Sequence, residues 1–102
     1  MWILTIRSVG SVPREHALKA GQTIIGRTAE SDICIADDSA SRRHALLDYN
    51  AETNVVMLSD LGSMNGTFLN DQQLQPNVRQ LLKVSDRIMA GRVALTFEKN
   101  DG

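Results

Sequence analysis

Three short polar segments hold the residues best suited to chemistry. They are Gly26-Arg27-Thr28-Ala29-Glu30-Ser31-Asp32, Asp37-Asp38-Ser39-Ala40-Ser41-Arg42-Arg43-His44 and Asp60-Leu61-Gly62-Ser63-Met64-Asn65-Gly66-Thr67. Brought together, they would present Arg27, Ser41, Arg42, Arg43, Ser63 and Asn65. Guanidinium groups, hydroxyls, an amide and glycine-freed backbone N–H groups are what an anionic, oxygen-rich ligand requires. A phosphate suits this set better than a metal ion, which needs converging carboxylates, imidazoles or thiolates. The segments therefore point to anion binding, with no metal and no cofactor.

Other chemistries fit less well. Ser41 and His44 could be a nucleophile and its base, but there is no Gly-x-Ser-x-Gly elbow and no carboxylate placed to orient the imidazole. An enzyme is therefore not expected. Asp37-Asp38 reads as a solvated turn, since two neighbouring carboxylates with no further acid nearby make a poor cation site. Acids there would repel acidic peptides or favour a basic residue near the bound group. Arg42 and Arg43 are adjacent, and side chains alternate at a strand edge, so one of them is expected to face the ligand. Cys34, the sole cysteine, reads as a small buried hydrophobe with no activating partner.

These loops need a scaffold, and the rest of the chain supplies strands. Short β-branched and apolar runs recur between Gly, Asn, Asp, Ser and Pro, the pattern of an all-β sandwich or barrel. Strands are expected at Trp2–Ser8, Glu15–Leu18, Thr23–Gly26, Asp32–Ile35, His44–Tyr49, Val55–Asp60, Thr67–Leu69, Gln73–Leu74, Leu81–Leu82, Arg87–Ala90 and Val93–Glu98, about eleven in all. Pro13 places residues 9–13 in a loop. Residues 50–54 read as a hairpin loop, and Asn70-Asp71 and Gly91-Arg92 as tight turns. The apolar residues of Val78–Val84 could imitate helical turns, but the segment is short and flanked by Pro76 and Ser85, so it reads as loop and strand. Asn100-Asp101-Gly102 reads as a frayed end. In a sandwich, loops cluster at the ends, so segments distant in sequence can share one site.

The composition agrees. The chain has 102 residues, 42% hydrophobic and 23% charged, which suits one globular domain. A net charge of −1 and a pI near 6.0 argue against a nucleic-acid binder, which needs a basic face. A single cysteine rules out an intrachain disulfide and fits the cytoplasm. No apolar run is long enough to span a bilayer.

Gly26-Arg27, Ser41-Arg42-Arg43-His44 and Asn65-Gly66, in this order and at these spacings, resemble the signature of forkhead-associated (FHA) domains. Asp60-Leu61-Gly62-Ser63, Thr67-Phe68-Leu69-Asn70 and Val84-Ser85-Asp86-Arg87-Ile88 extend the resemblance, which runs from about Ile3 to Phe97 within a single domain of residues 1–102. The resemblance implies a sandwich of two antiparallel sheets whose loops at one end bind phosphothreonine peptides, with a Ser/Thr kinase writing the mark. Arg27, Ser41 and Arg42 would then hold the phosphate, Asn65 the ligand's backbone, and Gly26, His44 and Gly66 would support the loops. Met64 stands where family members often carry Thr, so its backbone N–H or Ser63 would have to substitute, or affinity would fall. The competing function is a phosphate-independent scaffold that keeps the fold, and the oligomeric state defaults to monomer.

Overall fold

A computed structural model describes residues 1–100, and Asp101 and Gly102 of the expected tail lie outside the described residues. Eleven strands form there: β1 (Trp2–Arg7), β2 (Arg14–Ala17), β3 (Gly21–Gly26), β4 (Ile33–Cys34), β5 (Ala45–Asn50), β6 (Val55–Asp60), β7 (Thr67–Leu69), β8 (Gln72–Gln73), β9 (Gln80–Leu81), β10 (Arg87–Ala90) and β11 (Val93–Lys99). They make two sheets, in the orders β2-β1-β11-β10-β7-β8 and β4-β3-β5-β6-β9.

Side-chain alternation explains the sandwich. Along β11, Val93, Leu95 and Phe97 are buried while Ala94, Thr96 and Glu98 are half-buried between them. In β5, Ala45 and Leu47 face inward and Leu46 and Asp48 outward. The register sets Leu4 opposite Phe97 and Ile6 opposite Leu95 in one sheet, and Leu47 opposite Leu58 in the other. These residues join Ile25, Ile33, Ile35, Val56 and Ile88 in one core. Each such side chain contributes about 1.5–3 kcal/mol when fully buried. Trp2 closes the core's edge. Its ring stacks on Phe97 at 4.7 Å, and its Nε1–H donates to Asn54 Oδ1 over 2.9 Å.

The turns follow local chemistry. Asn70 and Asp71 adopt φ of 48° and 71° between β7 and β8, a left-handed pair that Asn and Asp tolerate. Asp71 thus fills a place where glycine would be the easier residue. Gly91, with φ 61°, turns β10 into β11. Residues 78–84 form loop and strand without a helix, and the strand lies at Gln80–Leu81.

One strand ladder among the described residues is parallel. β4 runs alongside β3, with Ile25 opposite Ile33 and Gly26 opposite Cys34, whereas the other ladders are antiparallel. Residues 27–32 cross over between these two strands. Parallel pairing brings the chain back to the end where β3 finishes, so the residues after Cys34 start beside Arg27. The Cys34 thiol is half-buried and lies 3.6 Å from the Arg27 carbonyl.

Candidate functional site

The three polar segments become loops: residues 27–32 between β3 and β4, 35–44 between β4 and β5, and 61–66 between β6 and β7. They converge at one end of the sandwich and are bonded to one another. The Arg27 backbone N–H donates to the Ser41 carbonyl over 3.0 Å, and Arg27 Nε donates to the Ala40 carbonyl over 2.9 Å. This fixes the guanidinium while its two terminal nitrogens stay uncommitted among the described residues.

Gly26 is required by a close approach. A Cβ there would lie 2.0 Å from the Arg42 carbonyl oxygen, inside van der Waals contact. Its φ is not positive, so a left-handed backbone is not the reason for glycine here. The crowding comes from the neighbouring loop, which is packed backbone to backbone against the end of β3.

His44 is fully buried. The Ser41 backbone N–H donates to its Nδ1 over 3.0 Å, which makes Nδ1 the acceptor nitrogen. The proton therefore sits on Nε2, which donates to the Gly66 carbonyl over 2.9 Å. One imidazole thus braces two loops, and both of its nitrogens are committed to backbone groups, not to the Ser41 hydroxyl.

That hydroxyl has a different neighbour. The Met64 backbone N–H donates to Ser41 Oγ over 2.9 Å, so the Ser41 proton is free to be donated elsewhere. The Met64 side chain points into solvent and is 90% exposed. Ser63 turns the other way, and its hydroxyl donates to Asp60 Oδ1. Asn65 Nδ2 donates to the Ser39 carbonyl over 2.8 Å, tying the third loop to the second.

The outcome is an open cleft of about 340 Å³ bordered by Arg27, Asp38, Ser41, Arg42, Met64 and Asn65, with Arg43 also on its rim. Ser63 does not border it. Arg42 and Arg43 both do. They lie in a bend before β5, where strand alternation does not apply. Three cationic residues, one hydroxyl donor and one amide therefore face a shared space.

Three further residues build the site and were missed or misread in the sequence. Asp60, 2% exposed, receives four hydrogen bonds: Ser63 and Thr67 hydroxyls at Oδ1, Gly62 and Ser63 backbone amides at Oδ2. It folds the third loop around its own carboxylate. Asp37, read as a solvated turn, accepts the Ser39 hydroxyl and amide at Oδ1 and pairs with Arg92 at 3.2 Å. Its carboxyl is lowered to about 2, first by the Ser39 hydrogen bonds and then by Arg92. Ser39 is the link between them: its Oγ also accepts the Arg92 backbone N–H over 2.8 Å. Asp-x-Ser and Asp-x-x-Ser are local capping signatures, and they were the available signal.

A second cleft, about 400 Å³, lies along β8 and β9, where four glutamines are interspersed with Leu69, Leu74, Val78 and Leu81, and Lys83 and Asp86 bring opposite charges. It lacks converging cations. No helix among the described residues is long and apolar enough to cross a membrane.

A β-sandwich with interlocked loops carrying Arg27, Ser41, His44 and Asn65 defines a class, and comparison with known proteins agrees. The FHA domain model matches residues 23–91, and the chain belongs to the FHA domain family. It is 42% identical over 96 residues to an oxoglutarate dehydrogenase inhibitor of Corynebacterium efficiens, covering 93% of this chain and 63% of that protein. It is 36% identical over 95 residues to the glycogen accumulation regulator GarA of Mycobacterium tuberculosis, covering 93% of this chain and 56% of that one. The chain thus spans less than two thirds of the length of these relatives. Among solved structures it is similar to one from work on phosphothreonine-dependent FHA domain interactions, with 26% identity and TM-score 0.82 over 99% of this chain and 98% of that one. It also resembles the FhaA FHA domain, solved in complex with the intracellular domain of another protein, with 28% identity and TM-score 0.83 over 96% of this chain and 100% of that one.

Proposed function

We propose that this chain is a phosphothreonine-dependent binding module in the cytoplasm, reading marks written by a Ser/Thr kinase. Arg27, Ser41 and Arg42 hold the phosphate, and Asn65 hydrogen-bonds the ligand's backbone. Gly26, His44 and Gly66 hold the loops in place. Ser63 supports the site through Asp60, and Met64 through its backbone N–H. The reading is of binding without turnover, in keeping with relatives named as an inhibitor and a regulator.

One observation carries this reading. Ser41 Oγ accepts the Met64 amide and so has its proton to give, on the same cleft that holds the free end of the fixed Arg27 guanidinium. A dianionic phosphate would meet a charged fork and an oriented hydroxyl together, the combination that makes phosphate contacts strong.

The test is calorimetric titration with degenerate phosphothreonine, phosphoserine and unphosphorylated peptide pools. Binding is expected for the phosphothreonine pool and is weakened in Arg27→Ala and Ser41→Ala by about 2–5 kcal/mol, the usual cost of removing one partner of a charged pair. Circular dichroism should show both variants folded. Unchanged affinity in both would remove the site from Arg27 and Ser41.

The second reading is a phosphate-independent scaffold, favoured by the apolar residues Val78, Leu81 and Val84, which are 42–52% exposed away from the recognition loops. It would be supported if the folded protein bound none of the pools and instead held an unphosphorylated partner that Leu81→Asp releases.

A further inference from the structure

We propose that Asp38 makes this site select ligands with a Lys or Arg close to the phosphothreonine and discriminate against acidic flanks. The inference rests on the phosphothreonine reading and names the charge of the sequence around the mark.

Asp37 and Asp38 are neighbours with different roles. Asp37 is held by Ser39 and by Arg92 and has no charge to spare. Asp38 is exposed and takes part in neither the Arg92–Asp37 nor the Arg87–Asp71 ion pair. It borders the cleft holding Arg27, Ser41 and Arg42. It also borders a second open cleft, about 490 Å³, lined by Asp38, Ser39, Asn65, Gly91 and Arg92. Asn65 and Ser39 border both as well, so the two clefts adjoin at Asp38.

The charges in the second cleft then sum simply. Arg92 is neutralised by Asp37, which leaves the Asp38 carboxylate as the cleft's uncompensated charge among the described residues. A ligand anchored by phosphate at Arg27 and by its backbone at Asn65 must pass Asp38 on the way into this cleft. A long cationic side chain can reach the carboxylate there, whereas a Glu or Asp in the ligand meets like charge.

Three phosphothreonine pools, identical except that the flanking positions carry Lys, Gln or Glu, test this by titration into the whole chain. The wild type is expected to bind the Lys pool about twofold to fivefold more tightly than the Gln pool, the strength of an exposed ion pair. The Glu pool should be weaker than the Gln pool, and the spread should narrow as salt is raised. In Asp38→Asn the Lys-to-Gln ratio falls towards one, and in Asp38→Lys the order reverses. The same ratios in wild type and Asp38→Asn would overturn the assignment to Asp38 while leaving phosphothreonine binding standing. Failure of folded wild type to bind any of the three pools would overturn both.

Discussion

The Met64 backbone N–H donates to the Ser41 hydroxyl oxygen over 2.9 Å, across 23 residues of sequence. The bond uses the main chain of Met64 and leaves its side chain outside. A residue that departs from the family's usual Thr therefore still completes the link between the second and third loops.

Replacing that side chain should consequently leave the framework alone. Met64→Ala is expected to unfold at the same urea concentration as wild type, since a 90% exposed side chain contributes little burial. Met64→Thr should tighten phosphothreonine-peptide binding by up to about tenfold, because a hydroxyl at the rim of the cleft adds one hydrogen bond to a charged group. Calorimetry on both variants checks this, and a weaker Met64→Thr would show that the thioether itself contacts the ligand.

Gly26→Ala is expected to be costly for a reason unrelated to turn geometry. Its methyl group would occupy the position 2.0 Å from the Arg42 carbonyl oxygen, so one backbone must move. Overpacking of this kind costs about 1–3 kcal/mol. Because the displaced strand end leads straight into Arg27 and the displaced loop carries Ser41, peptide affinity should fall as well. Urea unfolding and titration measure the two effects separately.

Asp60 allows a graded test. Asp60→Ala would strand four donors, of which the Thr67 hydroxyl is buried and the Gly62 and Ser63 groups are half-buried. A buried donor left unpaired costs about 1–3 kcal/mol, and the half-buried ones, which water can reach, cost less. Asp60→Asn should be milder. Its remaining carbonyl oxygen can take the Gly62 and Ser63 amides, while the Ser63 and Thr67 hydroxyls rotate to accept from the new NH₂. Equal thermal destabilisation of the two variants would count against this arrangement.

Asp37 gives a pH dependence of known sign. Its carboxyl is lowered from 3.8 to about 2, so the folded state favours the ionised form. The stabilisation is fully present above 3.8 and is lost as pH falls through about 2. The stability difference between wild type and Asp37→Ala should therefore be constant at neutral pH and shrink across that acid interval. Urea titrations at a series of pH values would show it, and a difference that grows on acidification would refute it.

Much of the fold was legible because strands announce themselves. Val93 to Glu98 alternates, Asn70-Asp71 accepts left-handed φ, and the paired motifs at residues 26–27, 41–44 and 65–66 mark three loops. The parallel pairing of β3 with β4 was not legible, since two-residue strands carry no pattern that distinguishes direction. Nor could the sequence name Arg42 as the neighbour that crowds Gly26, because that close approach depends on tertiary packing. Asp37 looked like a surface acid because its counterion, Arg92, lies 55 residues away. Arg27, Ser41 and Asn65 could be named from residue type, but not Ser63's inward turn to Asp60, which is decided by one rotamer.

Ser39 joins three separate parts of the chain. It is held by Asp37, accepts from the Arg92 amide, and receives the Asn65 side chain on its carbonyl. The conformational entropy of ordering the recognition loops is thereby spent during folding and not when a partner arrives. Association should then resemble rigid docking, with little rearrangement of the loops. A partner would then supply order only in its own segment, which suits the extended, flexible phosphopeptide proposed above.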